Sequence, residues 1–540
     1  MAMTSVREKI EQAVAQTLAD LGAANVPFAV ERPADMLHGD YSTNAALVVA
    51  KLLKKNPKDV AQEIADKLTV QGVKTIDIAG PGFINFTLAG NAVKDIVHEA
   101  HETSWGSNNA RQGQKIMVEY TDPNPFKEFH IGHLMSNAIG ESIARLFEAG
   151  GADVKRANYQ GDVGLHVAKT IWAVKNKKVA GADWGAAYVA GNTAYETDEV
   201  AKKEIQEINV KVYDRTDDAI NALYDEGRES SLAHFEEIYK KLGTKFDEYF
   251  FESQTWKKGL GLVQNNIGQV FEASDGAVIY RGEQDGLHTR VFINAAGLPT
   301  YEAKDLGLLA LKAEKGEFDV SVTVTASEQT EYFKVVLAAA KHIDEVQAIA
   351  ERTQHVSHGM MRFADGKMSS RTGNVVTGES LLADLTEAAR GREDVAVGAI
   401  KYTVLKSASS KDIVFDPEKS LSLDGDSGPY LQYALVRTRS LLRKAAEAQV
   451  VDPQPAGAMP VERLIVHFPE VVEYAATELE PHYVTTYLTE LASAFNSWYA
   501  QERLIVDGAI TTRSIAVLKA IENTLAQGLK VLGIPTPEEM

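Results

Sequence analysis

The spacing of apolar residues in the amino-terminal part of the chain predicts a small α/β domain. The pattern gives helices over residues 6–21, 43–53 and 57–68 and strands over 73–78 and 83–88. Asn56 followed by Pro57 is typical of a helix start. We place this domain at residues 1–108, where a polar, glycine-containing segment ends it.

A βαβ pattern follows and predicts a parallel sheet. An apolar strand over 115–120 leads through a proline-containing loop into a helix over 132–149, and a second strand follows over 154–159. This order is expected of a doubly wound parallel sheet of the Rossmann-like α/β class. We place this second domain at residues 109–392.

The remainder of the chain alternates between helical and β-rich patterns. Charged residues with helical period occupy about 168–263, which predicts a helical insertion in the second domain. Three β-rich segments that we expect to resume the sheet lie at 277–280, 289–293 and 320–324. From 393 to 540 the pattern predicts a separate all-α bundle. Its amphipathic stretches cover 428–448, 460–479, 482–502 and 511–532.

Composition and charge limit the classes to which the protein can belong. A chain of 540 residues exceeds what one hydrophobic core serves, and 45% hydrophobic with 24% charged residues is typical of a folded globular protein. No apolar run approaches the ~20 residues that a membrane helix needs, and residues 1–50 lack the pattern of a signal peptide. We therefore expect a cytoplasmic protein. The net charge of -19 disfavours a generally polyanion-binding surface, so a nucleic acid would need local basic patches.

The loop inside the βαβ unit carries a candidate phosphate site. His130, Gly132 and His133 lie where a parallel sheet binds ligands, at the start of the following helix. Amides at a helix start favour anions, glycine permits close approach of a nucleotide, and imidazoles donate hydrogen bonds to phosphate. The plainer interpretation is a histidine pair that caps a helix, and for an isolated His-x-x-His it is the better one.

A second candidate lies far downstream, in the glycine-containing segment 366–374. Lys367 in this segment can bring an ammonium group onto a polyphosphate, and charge stabilisation is a main catalytic need of nucleotidyl transfer. Taken alone, the segment is explained at least as well by a solvated surface turn.

Together the two segments resemble the paired motifs of class I aminoacyl-tRNA synthetases. In order and fold context, residues 130–133 match the first motif, and the second is matched by Lys367, Met368, Ser369 and Ser370. The family more often has lysine at the fourth position of the second motif and serine at the fifth, where this chain has Ser370 and Arg371. The leading Lys367 is intact, so the departure affects only secondary contacts of the loop.

Further residues resemble the arginyl members of the class. They are Glu119, Asn124, the segment 159–164, Tyr301, Asp305 and Gln329. A guanidinium is planar, always charged and has five donors, so its pocket should offer carboxylate and amide oxygens. Tyr301 can line the aliphatic stem or donate to a carboxylate. Singly, Glu119 is also explained as a polar residue at a strand end, and Asp305 as a solvated charge on a helix face.

The resemblance implies a reaction and its partners. Arginine and ATP form arginyl-adenylate and pyrophosphate, and arginine then passes to the 3′ end of tRNA(Arg), which arginyl enzymes generally need even for the first step. His130 and His133 would hold the triphosphate. Lys367 would stabilise the departing pyrophosphate with help from Lys127. The residues implied to bind ATP are His130, Gly132, His133, Lys367, Met368, Ser369 and Ser370. Mg²⁺ would accompany the ATP, while we expect no zinc or other resident metal, no DNA or membrane partner, and a monomer.

The amino-terminal domain supports the same resemblance. Residues 38–44 and 80–86 resemble the domain with which arginyl enzymes touch the outer corner of the tRNA. Phe83 and Asn85 are its candidate contacts, because an exposed aromatic ring can stack on an unpaired base and an amide can read its edge. At even odds, Phe83 is instead a core residue of its strand.

The carboxyl-terminal region resembles the helical anticodon-binding domain of the family over 428–440 and 482–499. The candidate tRNA contacts there are Arg437, Arg439, Arg443 and Tyr499. Such a basic cluster lets an acidic protein hold RNA, although a solvated helix face and a tyrosine in a helical core are the alternatives.

Three rival functions stay open. A cysteinyl-type synthetase shares the helical domain, but it typically needs a thiolate zinc site, which a chain without cysteine cannot build. A catalytically idle tRNA-binding relative is disfavoured by the intact His130, His133 and Lys367. A nucleotidyltransferase outside the synthetases would not need both RNA-binding-like flanks.

Overall fold

Residues 5–178, 183–364, 376–453 and 457–540 are described by the computed structural model of the protein. The helices are α1 Val6–Asp20, α2 Ala45–Leu53, α3 Pro57–Ala65, α4 Gly90–Glu99, α5 Ile131–Ala149, α6 Leu165–Lys175, α7 Trp184–Thr197, α8 Glu199–Asp214, α9 Asp218–Leu242, α10 Glu252–Asn265, α11 Tyr301–Glu314, α12 Thr330–Ala340, α13 Gln347–Arg352, α14 Gly378–Ala388, α15 Glu393–Leu405, α16 Pro417–Ser420, α17 Gly428–Ala445, α18 Pro460–Ile465, α19 Phe468–Glu478, α20 His482–Gln501 and α21 Thr512–Val531. The strands are β1 Val30–Glu31, β2 Tyr41–Thr43, β3 Val73–Ala79, β4 Phe83–Leu88, β5 Lys115–Glu119, β6 Asp153–Gln160, β7 Glu248–Phe251, β8 Glu272–Ser274, β9 Ala277–Tyr280, β10 Arg290–Ile293, β11 Val320–Ala326, β12 Thr353–His358, β13 Met361–Phe363, β14 Ile413–Phe415, β15 Gln449–Val451 and β16 Ala509–Thr511.

The chain forms two compact units. The first unit comprises residues 1–105, 437–470 and 490–525, and the second unit comprises 106–436, 471–489 and 526–540. Helices α17, α20 and α21 each begin in one unit and end in the other. The predicted boundaries at 108 and 392 follow changes in sequence pattern, and they stay predictions.

The first unit contains an antiparallel sheet in the order β1-β2-β4-β3. Both predicted strands occur, at 73–79 and 83–88, and the predicted helices form α1, α2 and α3. Ile84, Phe86 and Leu88 of β4 are buried, and β4 packs against α2 and α3. This packing leaves Phe83, at the start of β4, partly exposed.

The second unit is organised by a parallel sheet in the order β12-β11-β5-β6-β7. The predicted βαβ pattern is its centre, because β5, α5 and β6 follow one another and β5 lies between β11 and β6. Ile116, Met117 and Val118 of β5 are completely buried, as expected of a central strand with both faces covered. The carboxyl ends of the five strands therefore share one edge, where such sheets bind ligands.

The prediction that three β-rich segments resume the parallel sheet was wrong for two of them. The segments at 277–280 and 289–293 form β9 and β10 of a separate antiparallel sheet with β8, and only the segment at 320–324 joins the parallel sheet, as β11. Alternation within a short strand does not specify its partner, which tertiary packing decides.

The helical insertion predicted over 168–263 is also interrupted. Helices α6–α10 account for most of it, but β7 lies within it and forms the edge of the parallel sheet. β7 is only four residues long, so it has too few positions to show a period of its own. The core of the insertion packs around Phe126 of the loop that follows β5.

The helical stretch predicted over 460–479 is broken into α18 and α19. Pro469 lies in the first turn of α19, where a proline lacks the N–H that would continue a helix from α18. A short parallel pair of strands, β15 and β16, also occurs in the region predicted to be helical. Within the described ranges, no helix combines the length and apolarity that crossing a membrane requires.

Candidate active site

The loop after β5 adopts a backbone conformation that the surrounding side chains enforce. Thr121, Asp122 and Phe126 have φ values of 81°, 48° and 69°, which are unusual for residues other than glycine. The N–H of Thr121 donates to Ser136 Oγ at 3.0 Å, and that of Phe126 donates to Ser231 Oγ at 3.0 Å. Strain of this kind clusters at functional sites, where neighbouring contacts hold it.

Two side chains of this loop are directed at the end of β6. Asp122 Oδ1 accepts the backbone N–H of Tyr159 at 2.7 Å, and Asn124 Oδ1 accepts that of Gly161 at 3.1 Å. A Cβ at Gly161 would lie 2.2 Å from Asn124 Oδ1, so only glycine permits this approach. The contact joins Asn124 to the segment 159–164 in the fold.

Three carboxylates gather at the carboxyl end of β5. Glu119 is buried and its Oε2 lies 2.9 Å from Lys312 Nζ. Burial, and then the charge of Glu119, raise the pKa of Asp122 well above its usual value, while Lys312 opposes this rise. Burial also raises the pKa of Asp305 to about 7, and Glu119 and Glu252 contribute to the rise. The pocket is electronegative, since one lysine faces three carboxyl groups.

Asp305 is oriented by an aromatic hydroxyl rather than by a cation. Tyr332 OH donates to Asp305 Oδ2 at 2.5 Å, and this hydrogen bond partly opposes the rise in the pKa of the carboxyl group. Asp305 lies on α11, one turn after Tyr301. Tyr301 is 65% exposed, so it stands at the mouth of the pocket.

A buried ion pair borders the pocket on the side of β7. Glu252 follows β7 directly, and its Oε2 accepts a hydrogen bond from Lys304 Nζ at 2.7 Å. Although burial by itself would lower the pKa of Lys304, Glu252 raises it above the usual value. Lys304 Nζ also lies 5.1 Å from the centre of the Tyr301 ring. The pair fixes the first turn of α11, which carries Tyr301 and directly precedes Asp305.

The two histidines meet at the start of α5. Their rings stack with centroids 3.4 Å apart, and the backbone N–H of His130 donates to His133 Nδ1 at 3.2 Å. Because Nδ1 accepts this bond, a neutral His133 carries its proton on Nε2. A Cβ at Gly132 would lie 2.9 Å from the His130 ring, which accounts for glycine between the histidines.

Both histidines are neutral near pH 7 in the free protein. Burial lowers the pKa of His130 to about 4, with contributions from Lys127 and His358, although part of the residue is open to solvent. Burial likewise lowers the pKa of His133 well below its usual value. Lys127 is half-buried, and burial lowers its pKa too. The site therefore offers imidazole N–H donors beside one ammonium group, at the positive end of a helix.

The second sequence motif lies outside the described residues. Lys367, Met368, Ser369 and Ser370 belong to the segment 365–375, of which nothing is described. The chain beyond this segment does reach the site. Thr377 forms an isolated β-bridge with His130, and the N–H of Gly378 donates to Phe129 O at 2.8 Å.

Several groups of the site carry no clear signal in the sequence. His358 at the end of β12 is buried and influences both histidines, yet its position three residues after His355 does not link it to the motif at 130–133. Lys312 and Glu252 meet their partners only through the fold. His166 Nε2 donates to the carbonyl of Gly161 at 2.8 Å, and burial lowers the pKa of His166 to about 3. Of these additional groups, Asp122 was the one that the sequence could indicate, because it lies in the loop between β5 and the histidine motif.

The remaining predicted arginine contact lies at the end of β11. Gln329 ends the 3₁₀ turn Ser327–Gln329 and is exposed. It shares the carboxyl edge of the sheet with Glu119, but the structure shows no contact between them.

The predicted tRNA contacts differ in accessibility. Phe83 is 39% exposed and lines a cavity of about 280 Å³ with Arg32 and Asn44, whereas Asn85 is only 6% exposed. The burial of Asn85 speaks against its reading a base edge directly. In the carboxyl-terminal region, the guanidinium of Arg437 lies 4.6 Å from the centre of the Tyr499 ring.

Two further arginines of that region differ from each other. Arg439 Nε lies 2.9 Å from Glu522 Oε1, so its charge is compensated within the protein. Arg443, one turn further along α17, is exposed. Of the two, Arg443 is the better placed for a phosphate.

Three family models match successive parts of the chain. The model of the arginyl tRNA synthetase N terminal domain matches residues 5–88, that of the class I (R) tRNA synthetase catalytic domain matches 93–417, and that of the DALR anticodon binding domain matches 431–540. The catalytic match alone covers more than half of the chain. The chain belongs to the arginyl-tRNA synthetase family. The family and the fold class predicted from the sequence are confirmed.

Relatives of this arginyl-tRNA synthetase match over nearly their whole length. It is 30% identical over 551 residues to the arginine–tRNA ligase of Lactococcus lactis subsp. cremoris, covering 96% of this chain and 97% of that one. It is 28% identical over 578 residues to the arginine–tRNA ligase of Clostridium perfringens, covering 99% of each. The arginyl-tRNA synthetase structure from Thermus thermophilus superposes with a TM-score of 0.80 at 26% identity, covering 99% of this chain and 100% of that one.

Proposed function

We propose that this arginyl-tRNA synthetase recognises arginine through the carboxylate pocket and ATP through the histidine pair, and then transfers arginine to the 3′ end of tRNA(Arg). Membership of the family makes the chain an arginine–tRNA ligase. The observation that carries the residue assignment is the imbalance of charge in the pocket, where among the described residues Lys312 is the cation that faces Glu119, Asp122 and Asp305. A guanidinium restores that balance.

Arginine is held by groups on several elements. Asp305 and Glu119 accept N–H groups of the guanidinium, and planar bidentate pairing with a carboxylate gives geometric specificity. Asn124 keeps the loop against β6 and presents its amide to the site. Tyr301 and Gln329, both exposed at the edge of the sheet, cover the ligand from the solvent side.

ATP, accompanied by Mg²⁺ as part of the substrate, lies over the start of α5. His130 and His133 donate imidazole N–H groups to the triphosphate, and the absence of a side chain at Gly132 leaves space against the helix start. Lys127 adds a positive charge next to them. Lys367, Met368, Ser369 and Ser370 complete the site from the chain that precedes Thr377, which pairs with His130.

The reaction proceeds in two displacements. A carboxylate oxygen of arginine attacks the α-phosphate, the bond to the β-phosphate oxygen breaks, and pyrophosphate leaves. Lys367 and Lys127 stabilise the negative charge on the leaving group. A hydroxyl of the terminal tRNA ribose then attacks the adenylate carbonyl and releases AMP. We assign positioning and hydrogen bonding to the histidines, since burial lowers the pKa of both in the free protein.

The contacts with tRNA are assigned to Phe83 in the first unit and to Arg437, Arg443 and Tyr499 in the carboxyl-terminal region. Phe83 is exposed beside a cavity, and Tyr499 is 37% exposed. Rings at such positions stack on unpaired bases, and arginines hold phosphates. A cytoplasmic location and a monomeric state belong to the same proposal.

Exchange of pyrophosphate into ATP, measured with each amino acid and with and without tRNA, tests the function. We expect exchange with arginine, and we expect it to depend on tRNA. Exchange with glutamate or cysteine and none with arginine contradicts the proposal. Absence of exchange under every condition would favour an idle tRNA-binding relative.

A further inference from the structure

Two helices end at one buried point of the second unit. Helix α9 ends at Leu242 and α21 at Val531, both next to the carboxyl-terminal half of α5. The last carbonyl groups of a helix have no partner within it. Four side chains on α5 and α15 surround these ends, and we call them the helix-end clamp: Glu141, Ser142, Arg145 and Lys401.

The clamp satisfies three carbonyl groups at the end of α21. Ser142 Oγ donates to the carbonyl of Val531 at 3.0 Å. Arg145 Nη1 donates to that of Lys530 at 3.0 Å. Lys401 Nζ donates to that of Gly533 at 2.8 Å.

The same cations also bind the end of α9. Arg145 Nη2 donates to the carbonyl of Gly243 at 3.0 Å, and Lys401 Nζ donates to that of Leu242 at 2.7 Å. One arginine and one lysine therefore each join both helix ends. Cations at helix carboxyl ends also match the negative end of the helix dipole.

A fully buried lysine, as at position 401, is rare in proteins. Lys401 is completely buried, and burial lowers its pKa to about 7, although Glu141 opposes this effect. Both of its hydrogen-bond acceptors are carbonyl oxygens rather than carboxylates. Burying an ammonium group is costly, and the hydrogen bonds to these two carbonyl groups offset that cost.

The clamp is connected to the ATP side of the site through α5. This helix starts at Ile131 and carries His133 in its first turn and Ser142 and Arg145 towards its end. Its 19 residues form one uninterrupted α-helix. A change in the seating of its carboxyl-terminal half therefore displaces the histidines as well.

The clamp is connected to the arginine side by two further contacts. Tyr120, which follows Glu119, donates its hydroxyl to Glu141 Oε2 at 2.5 Å. Although burial by itself raises the pKa of Glu141, Arg145 and Arg156 hold it below its usual value, so it stays an anion. Ser231 of α9 accepts the N–H of Phe126 in the strained loop.

We propose that Lys401 is a positioning residue for aminoacylation. By fastening the ends of α9 and α21 to α5, it sets the position of the histidine pair relative to the carboxylate pocket. The carboxyl-terminal residues of the chain are in this way part of the catalytic architecture. This inference rests on the residue roles proposed above.

The test compares Lys401→Met with Ser142→Ala, which removes one smaller contact, and with Lys530→Met as a matched control. Lys530 is exposed at the same helix end, so its substitution removes a lysine charge but leaves its carbonyl in the clamp. We expect Lys401→Met to lower kcat roughly tenfold to hundredfold, because a misplacement of about 1 Å is enough for that loss. KM for tRNA should stay within about twofold, and Ser142→Ala should lower kcat less than Lys401→Met.

Thermal unfolding of each variant separates positioning from folding. The kinetics are measured well below every unfolding midpoint, where a merely structural contact leaves kcat unchanged. A Lys401→Met variant that is folded and keeps the kcat of the wild type overturns the inference. A loss of kcat in Lys530→Met equal to that in Lys401→Met overturns it too. If Lys401→Met does not fold, the kcat of Ser142→Ala is measured instead. A folded Ser142→Ala variant with the kcat of the wild type then overturns the inference. Wild-type protein without activity on arginine would instead overturn the proposed function.

Discussion

At the scale of single residues, the pocket holds more negative charge than its own cation compensates. Burial and mutual repulsion raise the pKa of Asp122 and of Asp305, and this repulsion costs folding stability. Functional sites often retain such unfavourable features because the ligand relieves them. The arrangement therefore favours a cationic ligand before any ligand is present.

Arginine affinity should depend on pH through Asp305. Its pKa is about 7 in the free protein, so the group gains a proton and loses its charge as the pH falls below 7. We expect KM for arginine to rise between pH 8 and pH 6 by roughly tenfold or less, following the fraction of protonated carboxyl. In Asp305→Asn, KM should be higher and should lose this dependence. An unchanged pH profile in the variant would show that another group titrates.

The same pKa predicts the sign of an effect on stability. Between its ordinary value and about 7, the folded protein keeps a proton on Asp305 that the unfolded chain has released. The free energy of unfolding therefore falls as the pH rises through this window. Asp305→Asn should gain stability relative to the wild type over that range, which thermal unfolding at several pH values measures.

At the scale of elements, the start of α5 makes contacts both with residues close to it in the sequence and with residues far along the chain. The histidine rings stack over Gly132, and the chain after the undescribed segment 365–375 returns to pair with His130. The motif was recognisable in the sequence because His130, Gly132 and His133 all lie at the start of one helix. Its partners Thr377 and His358 were not, since only the fold brings them there.

Gly132→Ala should separate stability from activity. Alanine favours a helix over glycine, so the unfolding midpoint should stay or rise slightly, but its Cβ would lie 2.9 Å from the His130 ring. Displacing that ring should lower kcat/KM for ATP by roughly tenfold to hundredfold. Gly261→Ala in α10, where a Cβ meets nothing within 4 Å, is the control and should keep wild-type kinetics. Equal kinetics in both variants would contradict the assigned role of the ring.

Elements with a clear period were predictable, and short or context-dependent ones were not. α1, β4 and the β5–α5–β6 unit lie within one or two residues of their predicted bounds. β7 is too short for periodicity, and β12 is rich in polar residues. The residues of the carboxylate pocket also divide into those that the sequence predicts and those that it does not. Glu119 and Asp305 were found through their resemblance to a family, while Lys312 becomes visible only when α11 packs beside β5.

At the scale of the whole molecule, an acidic chain must hold an RNA. The net charge is -19, so long-range attraction cannot supply the affinity and local arginines must do so. The structure separates the three candidates on α17. Arg437 lies against Tyr499, Arg439 pairs with Glu522, and Arg443 is exposed.

Arg443→Ala should weaken tRNA binding in a salt-dependent way. Removing one phosphate contact should reduce the slope of log affinity against log salt concentration by roughly 0.7 to 1. Arg215→Ala, which removes an exposed arginine paired with Asp225, is the control and should leave the slope unchanged. The slope is measured from KM for tRNA at several salt concentrations. An unchanged slope in Arg443→Ala would remove this residue from the tRNA contacts.

If Asp305 and its neighbours recognise the charge of the guanidinium, they should discriminate between arginine and citrulline. Citrulline has nearly the same shape but carries a neutral urea group. KM for arginine and the inhibition constant of citrulline are compared in the wild type and in Asp305→Asn. We expect a strong preference for arginine that narrows at least tenfold in the variant, the equivalent of about 1.4 kcal/mol, with KM for ATP nearly unchanged. An unchanged preference, or an equal rise in KM for ATP, would contradict it.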